Sequence, residues 1–178
     1  MVQALDIPSA QVSQVHIQAL GGDDYIASDR QRVLTPLDVR AGRGNDTVIG
    51  GAGTDTIMGE EGDDFLRGGR GNDVLSGGTE NERIVGGRGH DVLLGDEGDD
   101  ILLGRRGDDT LCGGPGDDVL RGDRGNDVAD GSPGDDEVHA EIQFPRDHRA
   151  VIDDLLQRGE IMPVIDDEIC AALVTRYN

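Results

Sequence analysis

The sequence predicts an all-β fold: a flattened solenoid of nine-residue units, followed by a short helical C-terminal tail. Three observations carry that prediction. From Ala41 to His139 the chain divides into eleven consecutive nines without an insertion. Of its 29 glycines, 26 fall inside that block at fixed places in the period, which argues against a glycine-rich acidic coil. The eighth position of every unit but the tenth is Val, Ile or Leu, so each unit offers one side chain to a common interior.

Residues 1–40 are expected to form irregular first coils that cap the solenoid, because a bare end exposes strand edges and core. "VSQVHIQ" places Val12, Val15 and Ile17 in imperfect alternation and predicts a strand, and "VLTPLDVR" suggests another. "ALGGDDYIA" resembles a degenerate unit, with Gly22, Asp24 and Ile26 at its fourth, sixth and eighth positions. Thirteen residues, Ser28 to Arg40, then separate it from the regular block.

Residues 41–139 are the repeat block, with units such as GGRGNDVLS, GGRGHDVLL and GGPGDDVLR. Position one is glycine in all but the first unit, and position four in all but the fifth, where Glu80 stands. Position six is aspartate in all but the fifth, where it is Glu82. Glycines at one, two and four suit a tight turn with positive φ and close backbone approach. Positions seven to nine read as a three-residue strand whose middle side chain points inward. A six-residue turn and that strand make nine, and two units make one coil of eighteen. The inward stack runs Val48, Ile57, Leu66, Leu75, Ile84, Leu93, Leu102, Leu111, Leu120, Ala129 and Val138.

That core is thin. The chain has no Trp and only Phe65, Phe144, Tyr25 and Tyr177 as aromatics, the residues that supply much of an ordinary core. Backbone ordering costs about 1–2 kcal/mol per residue, which small aliphatics at about 25 cal/mol per Å² do not readily offset. The net charge of −21, from 37 acidic and 16 basic residues, makes cations the natural partners. Turn carbonyls pointing inward, together with a sixth-position carboxylate, offer hard oxygens of the kind Ca²⁺ takes in sets of six to eight. Unneutralised carboxylates stacked at about 5 Å would repel each other. Metal binding and folding are therefore expected to be one event.

The pattern G-G-x-G-x-D-x-aliphatic-x resembles the repeat-in-toxin (RTX) family, the hemolysin-type calcium-binding repeat, over 99 of the 178 residues. The resemblance implies a right-handed parallel β-roll with Ca²⁺ between turns on the same side, held by loop carbonyls and sixth-position aspartates. Carried onto this chain, the ligands are Asp46, Asp64, Asp100, Asp118 and Asp136 on one side and Asp55, Asp73, Asp91, Asp109 and Asp127 on the other. Stacking each turn on the next but one gives nine gaps. Two involve the fifth unit, with Glu80 and Glu82, which leaves about seven intact sites. The third-position arginines Arg43, Arg70, Arg88, Arg106 and Arg124 are read as solvated outer-face residues rather than a binding patch.

Residues 140–178 change character, and glycine nearly vanishes. "DHRAVIDDLLQRG" spaces Ile152, Leu155 and Leu156 helically before Gly159. "MPVIDDEICAALVTRYN" puts Pro163 and three acids at a helix start. Two short amphipathic helices are expected, serving as a cap or, as the family resemblance implies, as an uncleaved signal for the type I secretion apparatus. The amino terminus lacks a basic n-region and a continuous apolar stretch, so no signal peptide is expected there.

No segment reaches membrane-spanning length, and the acidic balance argues against nucleic acid. His16, His90, His139 and His148 are scattered without a zinc motif, so no enzyme is expected. His90 and His139 fall at variable positions and read as surface residues. Two cysteines, Cys112 and Cys170, leave one bridge or two free thiols open. The expectation is a monomeric, secreted, calcium-binding roll. The alternative is a structural or adhesive surface module that binds a partner through the rigid roll or the helical tail.

Overall fold

The structure is a computed structural model and describes residues 13–28 and 35–140. Its strands are β1 (Val15–Gln18), β2 (Tyr25–Ala27), β3 (Leu37–Arg43), β4 (Thr47–Ala52), β5 (Thr56–Glu61), β6 (Phe65–Arg70) and β7 (Val74–Thr79). They continue as β8 (Arg83–Arg88), β9 (Val92–Glu97), β10 (Ile101–Arg106), β11 (Thr110–Cys112), β12 (Val119–Arg124), β13 (Val128–Asp130) and β14 (Glu137–His139). The odd-numbered strands form one seven-stranded sheet in sequence order and the even-numbered strands another. Every pairing is parallel. The chain thus winds as a two-sheet parallel solenoid of about seven turns. No helix among the described residues is long and apolar enough to cross a membrane. The helices expected in the tail lie outside the described residues.

From β3 onward the register is eighteen residues, as in Ile57↔Leu75 and Leu75↔Leu93. Two nines per coil is therefore the observed period. The strands, however, are mostly six residues rather than the expected three. Pairing skips position one but resumes at two and three, as in Gly51↔Gly69 and Ala52↔Arg70. The ladder continues past the glycines, and only positions four to six leave it as the turn.

The first coil is longer, with Val15↔Leu37 and Tyr25↔Thr47 each twenty-two apart. The interval before the regular block holds a concealed unit, because Val39 pairs with Ile57 at position eight and is fully buried. Leu37 stands in that unit where aspartate would be, and its N–H donates to Asp55 Oδ1 at 2.9 Å. Ile26 is buried on β2, and Val15 and Ile17 of β1 pack against the core. Val12 lies outside the described residues.

Between the sheets, the position-eight residues from Val48 to Leu120 are fully buried and Ala129 is nearly so. Val138 departs from the expected stack: β14 is the last strand of its sheet, and Val138 is 42% exposed there. Cys112 is buried on β11 and disulfide-bonded, while Cys170 lies outside the described residues.

Candidate metal centres

The turns fall on the two edges of the flattened coil. Turns 44–46, 62–64, 80–82, 98–100, 116–118 and 134–136 carry the chain from the odd-strand sheet to the even-strand sheet and form one edge. Turns 53–55, 71–73, 89–91, 107–109 and 125–127 form the other. The predicted ligands therefore separate into the two expected rows. Asp46, Asp55, Asp64, Asp73, Asp91, Asp100, Asp109, Asp118 and Asp127 are each at most 3% exposed, as is Glu82. Asp136, in the last turn, is only half-buried.

Each of these aspartates, though not Glu82, commits one oxygen to the main chain. Oδ1 accepts the main-chain N–H of the sixth residue one coil earlier: Asp46 N to Asp64 at 2.7 Å, Asp55 N to Asp73 at 2.9 Å, Asp73 N to Asp91 at 2.9 Å and Asp91 N to Asp109 at 2.9 Å. Further along, Asp100 N donates to Asp118 at 2.8 Å and Asp118 N to Asp136 at 3.0 Å. Oδ2 is buried without a hydrogen-bond donor in Asp46, Asp55, Asp64, Asp73, Asp91, Asp109 and Asp118. A buried oxygen bearing negative charge is costly unless something satisfies it.

The position-one glycines explain where those oxygens point. A methyl group added to Gly59, Gly95 or Gly113 would overlap Oδ2 of Asp64, Asp100 or Asp118 and crowd the carbonyl oxygen of Gly77, Gly113 or Gly131. Position one is thus glycine for space rather than for φ: Gly59, Gly95 and Gly113 all lie outside the left-handed region. Position two is left-handed in all eleven units, even where it is Glu60, Asp96, Arg105, Asp123 or Ser132, and position four is left-handed in most. Among the described residues no three His, Cys, Asp or Glu side chains converge. Beside Gly50, Gly59, Gly95 and Gly113 an aspartate Oδ2 instead lies with a main-chain oxygen, a donor set that fits a hard cation such as Ca²⁺.

Burial pushes these acids up. It raises Asp64, Asp91 and Asp118 to about 6, and Asp73 and Asp109 to about 7, against the pull of the backbone N–H each accepts. Neighbouring carboxylates add to the rise in Asp64, Asp73, Asp109 and Asp118. Asp46 and Asp55 also move upward, chiefly through burial.

The fifth unit breaks the pattern. Glu82 N still donates to Asp100 Oδ1 at 2.8 Å, but both Glu82 carboxylate oxygens are buried without a donor. Burial first, and Asp100 next, favour the neutral form of Glu82. Glu80 takes φ 81° where other units have glycine, and its Oε2 accepts Gly62 N at 2.8 Å.

Two features escaped the repeat reading. Asp24 N donates to Asp46 Oδ1 at 2.7 Å, so the degenerate unit extends the first row by one gap. Position five forms a second ladder of opposite sense. Asn45, Asp63, Asn81, Asp99 and Asp117 each accept, through Oδ1, the N–H of the fifth residue one coil later, at 2.9–3.2 Å. On the other edge Asn72 accepts from His90 N, His90 Nδ1 from Asp108 N and Asp108 from Asn126 N. His90 is exposed, as expected, but it is also a rung. The signal was present: from the fourth unit on, position five is always Asn, Asp or His.

A family model described as the RTX calcium-binding nonapeptide repeat (4 copies) matches residues 40–75, 76–111 and 113–143, more than half of the chain. A search of curated proteins finds no match.

Proposed function

Because the chain belongs to the family of RTX calcium-binding nonapeptide repeats, we propose that it is a secreted Ca²⁺-binding roll whose folding depends on the metal. The observation that carries this reading is the double row of buried Oδ2 atoms without donors. Asp46, Asp55, Asp64, Asp73, Asp91, Asp100, Asp109, Asp118, Asp127 and Asp136, with the position-one carbonyls, would hold the ions. Bound calcium supplies the positive charge that stacked carboxylates lack. Their Oδ1 atoms stay on main-chain N–H groups and keep each carboxylate oriented. The seven gaps free of the fifth unit are the sites proposed, and the gap from Asp24 to Asp46 is an addition to them. Residues 1–40 and 140–178 flank this block as caps, and the tail as a type I secretion signal remains part of the reading. The bonded Cys112 is in keeping with an oxidising compartment.

The deciding experiment is far-UV circular dichroism during calcium titration after EDTA stripping, with Mg²⁺ as the control. A cooperative coil-to-β transition with Ca²⁺ alone is expected. A spectrum already rich in β-structure and indifferent to calcium would leave a metal-independent solenoid instead.

A further inference from the structure

The two sheets are built from one repeat, yet their outer faces carry different charges. On the even-strand sheet, position three of successive coils is Arg70, Arg88, Arg106 and Arg124, in direct register across β6, β8, β10 and β12. Adjacent strands lie about 4.8 Å apart, so four guanidinium groups stand in file. Arg67 of β6 and Arg83 of β8 border the same channel. All six are exposed, and none forms an ion pair with another described residue. They line a groove of about 870 Å³ that also contains Ile49, Phe65 and Val85, with Gly51, Gly69 and Gly87 along it. On the odd-strand sheet the same position reads Arg43, Glu61, Thr79 and Glu97, and past the ends of β11 and β13 it reads Pro115 and Pro133. There Arg43 is already paired with Glu61 at 3.1 Å.

Like charges at strand spacing repel unless something sits against them. A chain of net charge −21 has carboxylates enough to neutralise the file, but the groove's one acid, Asp123, is engaged by Arg105 and Arg121 at 3.2 and 3.3 Å. We propose that this groove docks an extended acidic peptide whose carboxylates meet the arginine file and whose aliphatic side chains meet Ile49, Phe65 and Val85. Charge complementarity selects an anionic partner, and the aliphatic border selects a peptide among anions. Single-stranded nucleic acid relies on aromatic platforms for stacking, and Phe65 is the groove's one aromatic residue. The groove stands on the geometry of one sheet face and does not rest on the calcium reading.

The test is fluorescence anisotropy of a labelled peptide of alternating Glu and Val. It is added to the full chain in calcium, with the fold checked by circular dichroism. The comparisons are a Gln-Val peptide, a polyuronate oligosaccharide and oligo(dT). The Glu-Val peptide should bind best and weaken as salt rises. Arg88→Glu with Arg106→Glu should cost about tenfold or more in affinity, and the milder Arg88→Gln with Arg106→Gln less. Arg43→Gln, on the other sheet, should change nothing. No binding by a chain shown to be folded, undiminished binding in the double variant, or tighter binding of the oligosaccharide or oligo(dT) would overturn the proposal.

Discussion

The two edges of the solenoid make the same turn, and one of them makes it without interruption. On the edge carrying Asp55, Asp73, Asp91 and Asp109, every sixth residue accepts the N–H of the coil before it through Oδ1. On the other edge the same ladder runs from Asp24 to Asp64, fails at Glu82, and resumes from Glu82 N to Asp100. One additional methylene separates the two outcomes. An aspartate is short enough to hand Oδ1 to the neighbouring main chain while Oδ2 turns to the position-one glycine. At Glu82 neither oxygen finds a donor. The difference teaches that side-chain length, as much as charge, defines the site.

The largest effect should come from breaking the intact edge. Asp91→Ala with Asp109→Ala removes carboxylates from the gaps 73–91, 91–109 and 109–127, and takes the acceptor from Asp73 N and Asp91 N. Each orphaned buried N–H costs about 1–3 kcal/mol. Calorimetric titration should therefore show fewer calcium ions per chain and a weaker transition, whereas unchanged stoichiometry would reject these aspartates as ligands.

A change of pH should reach both edges, with opposite sign in the two metal states. Asp73 and Asp109 sit at about 7, and Asp64, Asp91 and Asp118 at about 6, well above their value of 3.8 in an unfolded chain. A carboxyl raised by folding stabilises the folded form fully below its unfolded pKa and loses that contribution as pH rises through its folded one. The metal-free roll should therefore gain order as pH falls from 8 towards 5, while calcium binding, which competes with those protons, weakens over the same range. Circular dichroism of the EDTA-treated chain tests this. A β-signal that rises with pH in the absence of calcium would show that burial does not govern these acids.

Much of this was legible in the sequence because a periodic chain repeats its own evidence. The eighteen-residue coil, the position-eight core and the two rows of aspartates follow from counting, since each unit occupies an equivalent environment. The boundary between strand and turn did not follow. Glycines at one and two suggest a turn by propensity, yet the strands run through both and pairing resumes at two, and the glycine at one answers to a neighbouring carboxylate that local sequence cannot display. The unit hidden before Ala41 was obscured because Leu37 replaces its aspartate. The groove on the even-strand sheet was missed for another reason. Arg70, Arg88, Arg106 and Arg124 look like scattered surface charges until an eighteen-residue register sets them in file.

Repairing the broken edge should have a smaller effect than breaking the intact one. Glu82→Asp restores a carboxylate of the right length, so Asp64 N should regain an acceptor. A gain of about 1 kcal/mol in stability is expected, with more calcium bound across the gaps 64–82 and 82–100. Glu80→Gly should do least, although it also returns the fifth unit to the common pattern. Removing the side chain relieves a left-handed backbone at φ 81°, a gain of about 1–2 kcal/mol. It also removes Oε2 from Gly62 N and from the Thr79 hydroxyl, 2.7 Å away, which together cost about as much. The net change in urea unfolding with calcium should lie near zero, and the double variant should match Glu82→Asp alone. If Glu80→Gly instead proves the larger repair, the edges differ through backbone strain at position four, and the length of the sixth side chain is not what separates them.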